Sequence, residues 1–339
     1  MIKKLIILQQ NLVWAIPISM SLGLIYGYLF DASNLRSLII PITFVMIYPM
    51  MVTLNVRSIF KGHDMKLQVV TQIINFILVP IVVFSLGKFF FAGASEKFGL
   101  WAVGLFLIGV LPASGMTISW TGFAKGNKEA AMKMLVFGLI LGSLAAPIYT
   151  KVFMGANVDV DMLHMFQQIA IFVFVPLFAG IFTQTFLRKK YGDADWERRL
   201  KPRFPPFSAL GVVMIAFVAI SLKAKGIIAH PEDIVKILIP LVIFYLLSYI
   251  LLTLIGKFMF SREDAIAMVY GVVMRDLSIA LAIAMTAFGK EGSTIALLIA
   301  LAYVIQIQSA ALYIKIVPKI FGPPAEETPK DFVAESVAR

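Results

Sequence analysis

A chain of 339 residues with 60% apolar residues, a mean hydropathy of +0.90 and only 14% charged positions has too little charge to cover a soluble domain. The net charge of +11 is not gathered into a basic stripe with interleaved aromatics, which argues against a nucleic-acid partner, and the absence of cysteine excludes disulfides and thiolate chemistry. His63, His164 and His230 stand in or beside loops without the spacing of a metal site, so neither a metal centre nor an enzyme is expected.

In chain order, Met1 to Lys4 and the apolar stretch behind them have the outline of a signal peptide, but no small-x-small cleavage site follows and the stretch runs on to Phe30. It reads as the first span. Apolar runs long enough to cross a hydrocarbon core of ~30 Å follow one another, and ten spans are predicted, at 11–30, 37–56, 67–90, 99–122, 130–153, 165–187, 207–223, 234–256, 265–288 and 293–317. Polar linkers punctuate them at 31–34, 61–64 and 192–195, and the stretch 321–339, with Pro323, Pro324 and scattered charge, reads as a disordered tail.

Loop charge sets the orientation. With the N-terminus in the cytoplasm, 21 of the 30 Lys and Arg fall inside, 8 fall outside, and Arg275 lies within a span. Both termini are therefore expected on the cytoplasmic side of the cell membrane. The chain also repeats itself. Leu86-Gly-Lys-Phe-Phe-Phe91 matches Ile255-Gly-Lys-Phe-Met-Phe260, Phe123-Ala-Lys125 matches Phe288-Gly-Lys290, and Ala146-Pro-Ile-Tyr-Thr-Lys151 matches Ala310-Ala-Leu-Tyr-Ile-Lys315, at offsets of 169, 165 and 164. Residues 1–160 and 161–320 are thus expected to be two five-helix repeats. Five is odd, so the second copy enters the membrane from the opposite side, the architecture of alternating-access carriers with a site at the midplane.

The strongest break signal is in span four, where Pro112, Ala113, Ser114 and Gly115 precede Met116, Thr117, Ile118 and Ser119. Proline removes a donor and glycine permits unwinding. The amides that restart the helix would carry the positive end of its dipole and suit an anion, unless Pro112 only kinks the span. In span nine, Met274, Arg275, Asp276 and Ser278 interrupt an apolar stretch, and offsets of 163–165 set Arg275 to Leu277 opposite Pro112. A charge at mid-membrane costs ~2.5–3.5 kcal/mol on insertion scales. Adjacent residues point about 100° apart on a helix, so Arg275 and Asp276 pair poorly with each other and each is expected to face something else: a substrate, an ion or a helix partner. Gln72 and Asn75 in span three, and Gln306 and Gln308 in span ten, are buried amides of the kind that bond neighbouring helices. With Asp276, Met274 and Ser278, Gln72 and Asn75 are also the candidates for holding a coupling ion.

The stretch from Pro112 to Asn127, ending Ala124-Lys-Gly-Asn127, resembles the bile acid:sodium symporter family, whose fourth span has a Pro-Gly-Gly start, a Ser-Asn pair and an Ala-Lys-Gly-Asn-like end. Asn75 to Pro80 and Met274 to Ala280 are similar to that family's third and ninth spans. Val45 to Pro49, Ala124 to Asn127 and Leu281 to Ala284 also resemble the related arsenite exporters. The likeness runs from about residue 11 to 317. It implies an all-α membrane protein with a panel domain, a core domain, and spans four and nine broken and crossing. Its sodium ligands do not carry over: the Ser-Asn pair falls on Thr117 and Ile118, a glutamate of span nine on Gly271, and a sodium-ligating glutamine on Arg275. The cysteine that the arsenite exporters share in span four has no counterpart.

A secondary transporter for a small organic anion is therefore expected, with Arg275, Ser114, Gly115, Pro112, Thr117 and Ser119 towards the substrate. Asp276, Asn75, Met274, Ser278 and Gln72 are placed towards a coupling Na⁺ or H⁺. No cofactor is expected. Its partners are the bilayer and a small anion. Export of a metalloid or other small solute, and a membrane sensor that no longer transports, are the alternatives.

Overall fold

The computed structural model describes residues 2–54, 64–91, 93, 96–111, 113–155 and 161–323. Pro112, His63, most of the linker at 61–64 and the tail from Pro324 lie outside the described residues. All regular structure among the described residues is helical. A short α1 (Ile2–Gln10) precedes α2 (Leu12–Leu29) and α3 (Ile39–Thr53). Then come α4 (Met65–Phe91), α5 (Glu96–Val110), α6 (Met116–Phe123), α7 (Lys128–Met154) and α8 (Met162–Tyr191). The chain continues through α9 (Pro205–Ala229), α10 (Glu232–Met259), α11 (Arg262–Val273), α12 (Leu277–Ala287) and α13 (Gly292–Phe321).

Nine segments among the described residues are long and apolar enough to cross a membrane, with α11 and α12 counted together. The stretch expected as a span at 99–122 is instead α5 and α6, each too short to cross alone. Two details exceed the sequence reading: α1 is a helix of its own, and α9 runs past the expected end at 223 to Ala229. Two of the helix starts follow from local chemistry. Asn127 caps α7 by accepting from the Ala130 amide, and Ser261 caps α11 by accepting from the Asp264 amide. In α4, Pro80 cannot donate to the carbonyl of Phe76, and the helix widens to a π turn over Ile74–Leu78. The Tyr149 hydroxyl of α7 supplies the missing donor, at 2.9 Å from the Phe76 oxygen.

The helices sort into two groups. α2, α3, α8 and α9 pack on one another, and α4–α7 pack with α10–α13. The first group is tight because glycines admit backbone: a Cβ on Gly211 of α9 would lie 2.6 Å from Met46 Cα of α3, and one on Gly27 of α2 would collide with the Ser221 carbonyl. Large apolar side chains such as Phe89, Phe182 and Phe258 point outward from α4, α8 and α10, where a bilayer would cover them, while the α11–α12 segment is almost wholly enclosed. At one end of the second group, Lys133 of α7 is buried and donates to Asp64 at 2.6 Å, and Gln68 donates to the same carboxylate at 2.9 Å. Burial works against the charged form of Asp64, but these hydrogen bonds outweigh it and hold the carboxyl below its ordinary value.

Candidate functional site

Two helix breaks meet in the middle of the second group. α5 ends at Val110 and α6 begins at Met116; α11 ends at Val273 and α12 begins at Leu277. Between α5 and α6 the chain turns through Ala113, whose φ of 53° is left-handed and uncommon for a residue with a Cβ. Backbone groups freed by a break at membrane depth must find partners inside the protein. Here each break serves the other: the Ser114 amide donates to the Met274 carbonyl at 2.9 Å, and the Asp276 amide donates to the Leu111 carbonyl at 3.0 Å.

Arg275 is fully buried at this crossing. Its Nε donates to the Ile108 carbonyl at 2.9 Å, and one terminal nitrogen donates to Asn75 Oδ1 at 2.6 Å and to the Val272 carbonyl at 3.0 Å. The other terminal nitrogen donates to the Gly109 carbonyl. Ile108 and Gly109 lie in the last turn of α5 and Val272 in the last turn of α11, so the guanidinium gathers the negative ends of two half-helices. Asn75 is held by its own amide nitrogen, which donates to the Gly271 carbonyl at 3.3 Å. The Arg275 backbone is fixed separately: Gln306 of α13 accepts from its amide at 2.9 Å and donates to its carbonyl at 3.2 Å, and the Tyr245 hydroxyl donates to the same amide oxygen of Gln306 at 2.8 Å. The guanidinium thus faces its own chain's oxygens, with four of its five N–H groups used, and not an open cavity.

Asp276 turns the other way. One carboxylate oxygen caps α12 by accepting from the Ile279 amide at 3.1 Å, and the other is buried without a partner among the described residues. No ion pair joins Arg275 to Asp276 among the described residues. Just before and along α6, Ser114, Thr117 and Thr121 are buried, and none of their hydroxyls has a partner among the described residues. Their spacing puts them on one helical face. The cap position Gly115 gives α6 no side-chain cap, and a Cβ there would lie 3.0 Å from the sulfur of Met50 in α3, so this helix start faces the first group of helices.

Of the other expected residues, Met274 contributes its carbonyl, and the Ser278 hydroxyl lies 2.8 Å from that of Tyr303. Gln72 keeps both amide atoms buried without partners among the described residues, and Ser119 is exposed on the far side of α6. Sequence reasoning passed over Thr121, whose spacing from Thr117 is a usable signal, and Tyr245 and Tyr303, which carry none inside apolar spans. A cavity of about 240 Å³ opens between the two helix groups, lined by Arg36, Ile39, Gln168, Thr286 and Ser293.

Comparison with known proteins places this geometry. The model of the sodium bile acid symporter family matches residues 40–230, more than half of the chain. The arsenical-resistance protein Acr3 of Corynebacterium glutamicum is 22% identical over 294 residues, 82% of this chain and 78% of its own length. Acr3 of Alkaliphilus metalliredigens is 23% identical, over 59% of this chain and 58% of its own. Sodium/bile acid cotransporter 7 of Rattus norvegicus is 26% identical, over 48% of this chain and 45% of its own. The expected membership therefore stands: this multi-pass membrane protein belongs to the sodium bile acid symporter family.

Proposed function

We propose that the protein is a secondary transporter of a small organic anion, working by alternating access in the cell membrane with both termini in the cytoplasm. The observation that carries this reading is the unequal loading of the crossing. The C-terminal ends of α5 and α11 are met by Arg275, and the N-terminal end of α12 is capped by Asp276. The N-terminal end of α6 has no side-chain cap, and beside it stand the hydroxyls of Ser114 and Thr117, which have no partner among the described residues. A positive helix end with spare donors in a low-dielectric interior is an anion site. The substrate's carboxylate or sulfonate is met there by Ser114, Gly115 and Thr117. Arg275 adds its charge through the carbonyls behind the site, without touching the substrate. Asp276, through its free oxygen, takes the proton or Na⁺ that couples transport to a gradient.

Ten spans in two inverted repeats fit the same reading. Val273 ends its helix 163 residues after Val110 ends its own, and the backbone bonds between the breaks are reciprocal. Movement of the group α2, α3, α8 and α9 against the other, past the Gly115–Met50 contact, would expose the site to each side in turn. The likeness to Acr3 favours metalloid export as a second reading, but the chain lacks the thiolate that suits a soft metalloid.

A thermal-shift screen of purified protein against organic anions, with and without sodium, tests the proposal. A ligand at a hundred times its Kd stabilises by about 2.7 kcal/mol. At least one small anion should raise the melting temperature and be taken up by proteoliposomes. Stabilisation only by neutral solutes would contradict the proposal.

A further inference from the structure

Lys223 lies in the last two turns of α9, half-buried, with neither an ion pair nor a hydrogen bond among the described residues. Lysine is seldom buried without a partner, because its charge loses water without compensation. The charged groups that act on it most are Arg36 and Lys97, both of its own sign. Lys223 lines a cavity of about 320 Å³ between the two helix groups, shared with Lys97 of α5, Asp233 of α10 and Thr294 of α13 and walled by Leu100 and Ile227. Asp233 is buried and already engaged by Lys97, with Lys236 at 3.6 Å, so one carboxylate stands against three lysines. The loop charges assign this end of the bundle to the exterior, where Lys and Arg are the minority, so their gathering around one cavity is not the usual cytoplasmic bias.

An anion among these groups is attracted by all of them and offsets the repulsion of Lys223 by Arg36 and Lys97. Ammonium groups and a hydroxyl are separate point donors, without the planar fork that arginine offers a carboxylate, so a compact, symmetric anion suits them. We infer that Lys223, with Lys97 and Thr294 on the opposite wall and Arg36 nearby, forms a binding site for a small soluble oxyanion of the sulfate or phosphate type. Lys223 belongs to the first helix group and Lys97 and Thr294 to the second, so the bound anion ties the groups together at this end. The length of α5, about 20 Å, separates the site from the break after Val110. The inference does not depend on which solute is carried, or on whether transport occurs.

The test titrates purified full-length protein, in detergent without added phospholipid, with sodium sulfate at constant ionic strength. The Lys97 ammonium lies 5.2 Å from the centroid of the Trp101 ring, so tryptophan fluorescence reports on the site, with the melting temperature read alongside. The wild type should show a saturable fluorescence change and melt later in sulfate. K223Q should raise the half-saturating sulfate concentration about tenfold or more, the effect of one lost contact to a charged group. K223R should stay near the wild type, and R36Q should do less than K223Q, since Arg36 is exposed. Because Lys223 bonds to nothing among the described residues, K223Q should melt no earlier than the wild type without sulfate. The double variant Ser114→Ala, Thr117→Val should keep the response. A wild type with no saturable response would overturn the inference. So would a response that the double variant loses and K223Q keeps, which would put the anion at α6 and leave the proposed function standing. A response that appears only once anionic phospholipid is added would also overturn it, as the mark of a headgroup site.

Discussion

The two breaks at the crossing differ in how their charges are met. Between α11 and α12, the chain places Arg275 and Asp276 side by side and sends them apart. The arginine goes to the carbonyl ends of α5 and α11 and the aspartate to the amide end of α12. Between α5 and α6 it places Ala113, Ser114 and Gly115, none of which can ionise, and leaves the amide end of α6 without a side-chain cap. Two half-helix pairs with the same dipoles thus end up unlike: one break neutralises itself and part of its neighbour, and the other keeps an uncompensated positive end. Roles divide accordingly. On the proposed function, Arg275 of the second break holds the crossing together, while residues of the first break and Asp276 meet something from outside the chain.

Substitutions in the two breaks should therefore fail in different ways. Arg275→Met should be the most damaging to stability, on the order of 5 kcal/mol, because four buried acceptors lose their donors at ~1–3 kcal/mol each. Chemical or thermal unfolding in detergent reads this directly. A loss below ~1 kcal/mol would put Arg275 on the functional side of the comparison instead.

Asp64→Asn, at the far end of the same helix group, serves as a reference for a buried charge pair and should cost about 1.5–3 kcal/mol through the lost charge on its bond to Lys133. The Asp64 carboxyl is held below its ordinary value of 3.8, so its contribution is complete above that pH and is lost only as the pH falls through the lower folded value. Hence the stability difference between wild type and Asp64→Asn should be constant from neutral pH down to about pH 5. A difference that already fades at pH 6 would contradict the assigned hydrogen bonds.

Asp276→Asn should change stability by less than ~1 kcal/mol, since asparagine caps a helix as well as aspartate does and a buried unpartnered charge is removed. On the coupling role proposed for it, uptake into proteoliposomes should lose its dependence on the pH or sodium gradient. Gradient-driven uptake that survives unchanged would remove Asp276 from the coupling site. A small effect on stability is expected at Gly115→Ala, where Met50 must give way by a few tenths of an ångström. Uptake should slow while the melting temperature barely moves, and equal losses in both would make Gly115 a packing residue only.

Much of this arrangement was legible in the residues. The Pro112–Gly115 run and the Arg275–Asp276 pair each mark a break because nothing else interrupts those apolar stretches, and residues 100° apart on a helix were bound to face different partners. The direction of Arg275 was not legible. Its partners are mostly main-chain carbonyls, which every residue carries, so no sequence pattern distinguishes those of Ile108, Gly109 and Val272 from the rest. The same holds for Tyr149, which satisfies the carbonyl stranded by Pro80: the proline announces a missing donor, but not which helix supplies it. Short helices such as α1 escape a search tuned to spans of twenty residues.

Ser114 and Thr117 offer the most direct test of the central claim, because their hydroxyls have no partner among the described residues and a substitution removes no hydrogen bond seen there. The measurement is uptake of a labelled anion, identified by the thermal-shift screen, into proteoliposomes holding wild type or the Ser114→Ala, Thr117→Val double variant, with melting temperatures taken on the same preparations. The account predicts unchanged or slightly higher stability together with a loss of anion affinity of about a hundredfold or more, the effect of two lost hydrogen bonds to a charged group at ~1.5–3 kcal/mol each. A double variant that melts earlier yet binds and carries the anion as the wild type does would show that these hydroxyls serve the fold and that the bare end of α6 is not where the anion sits.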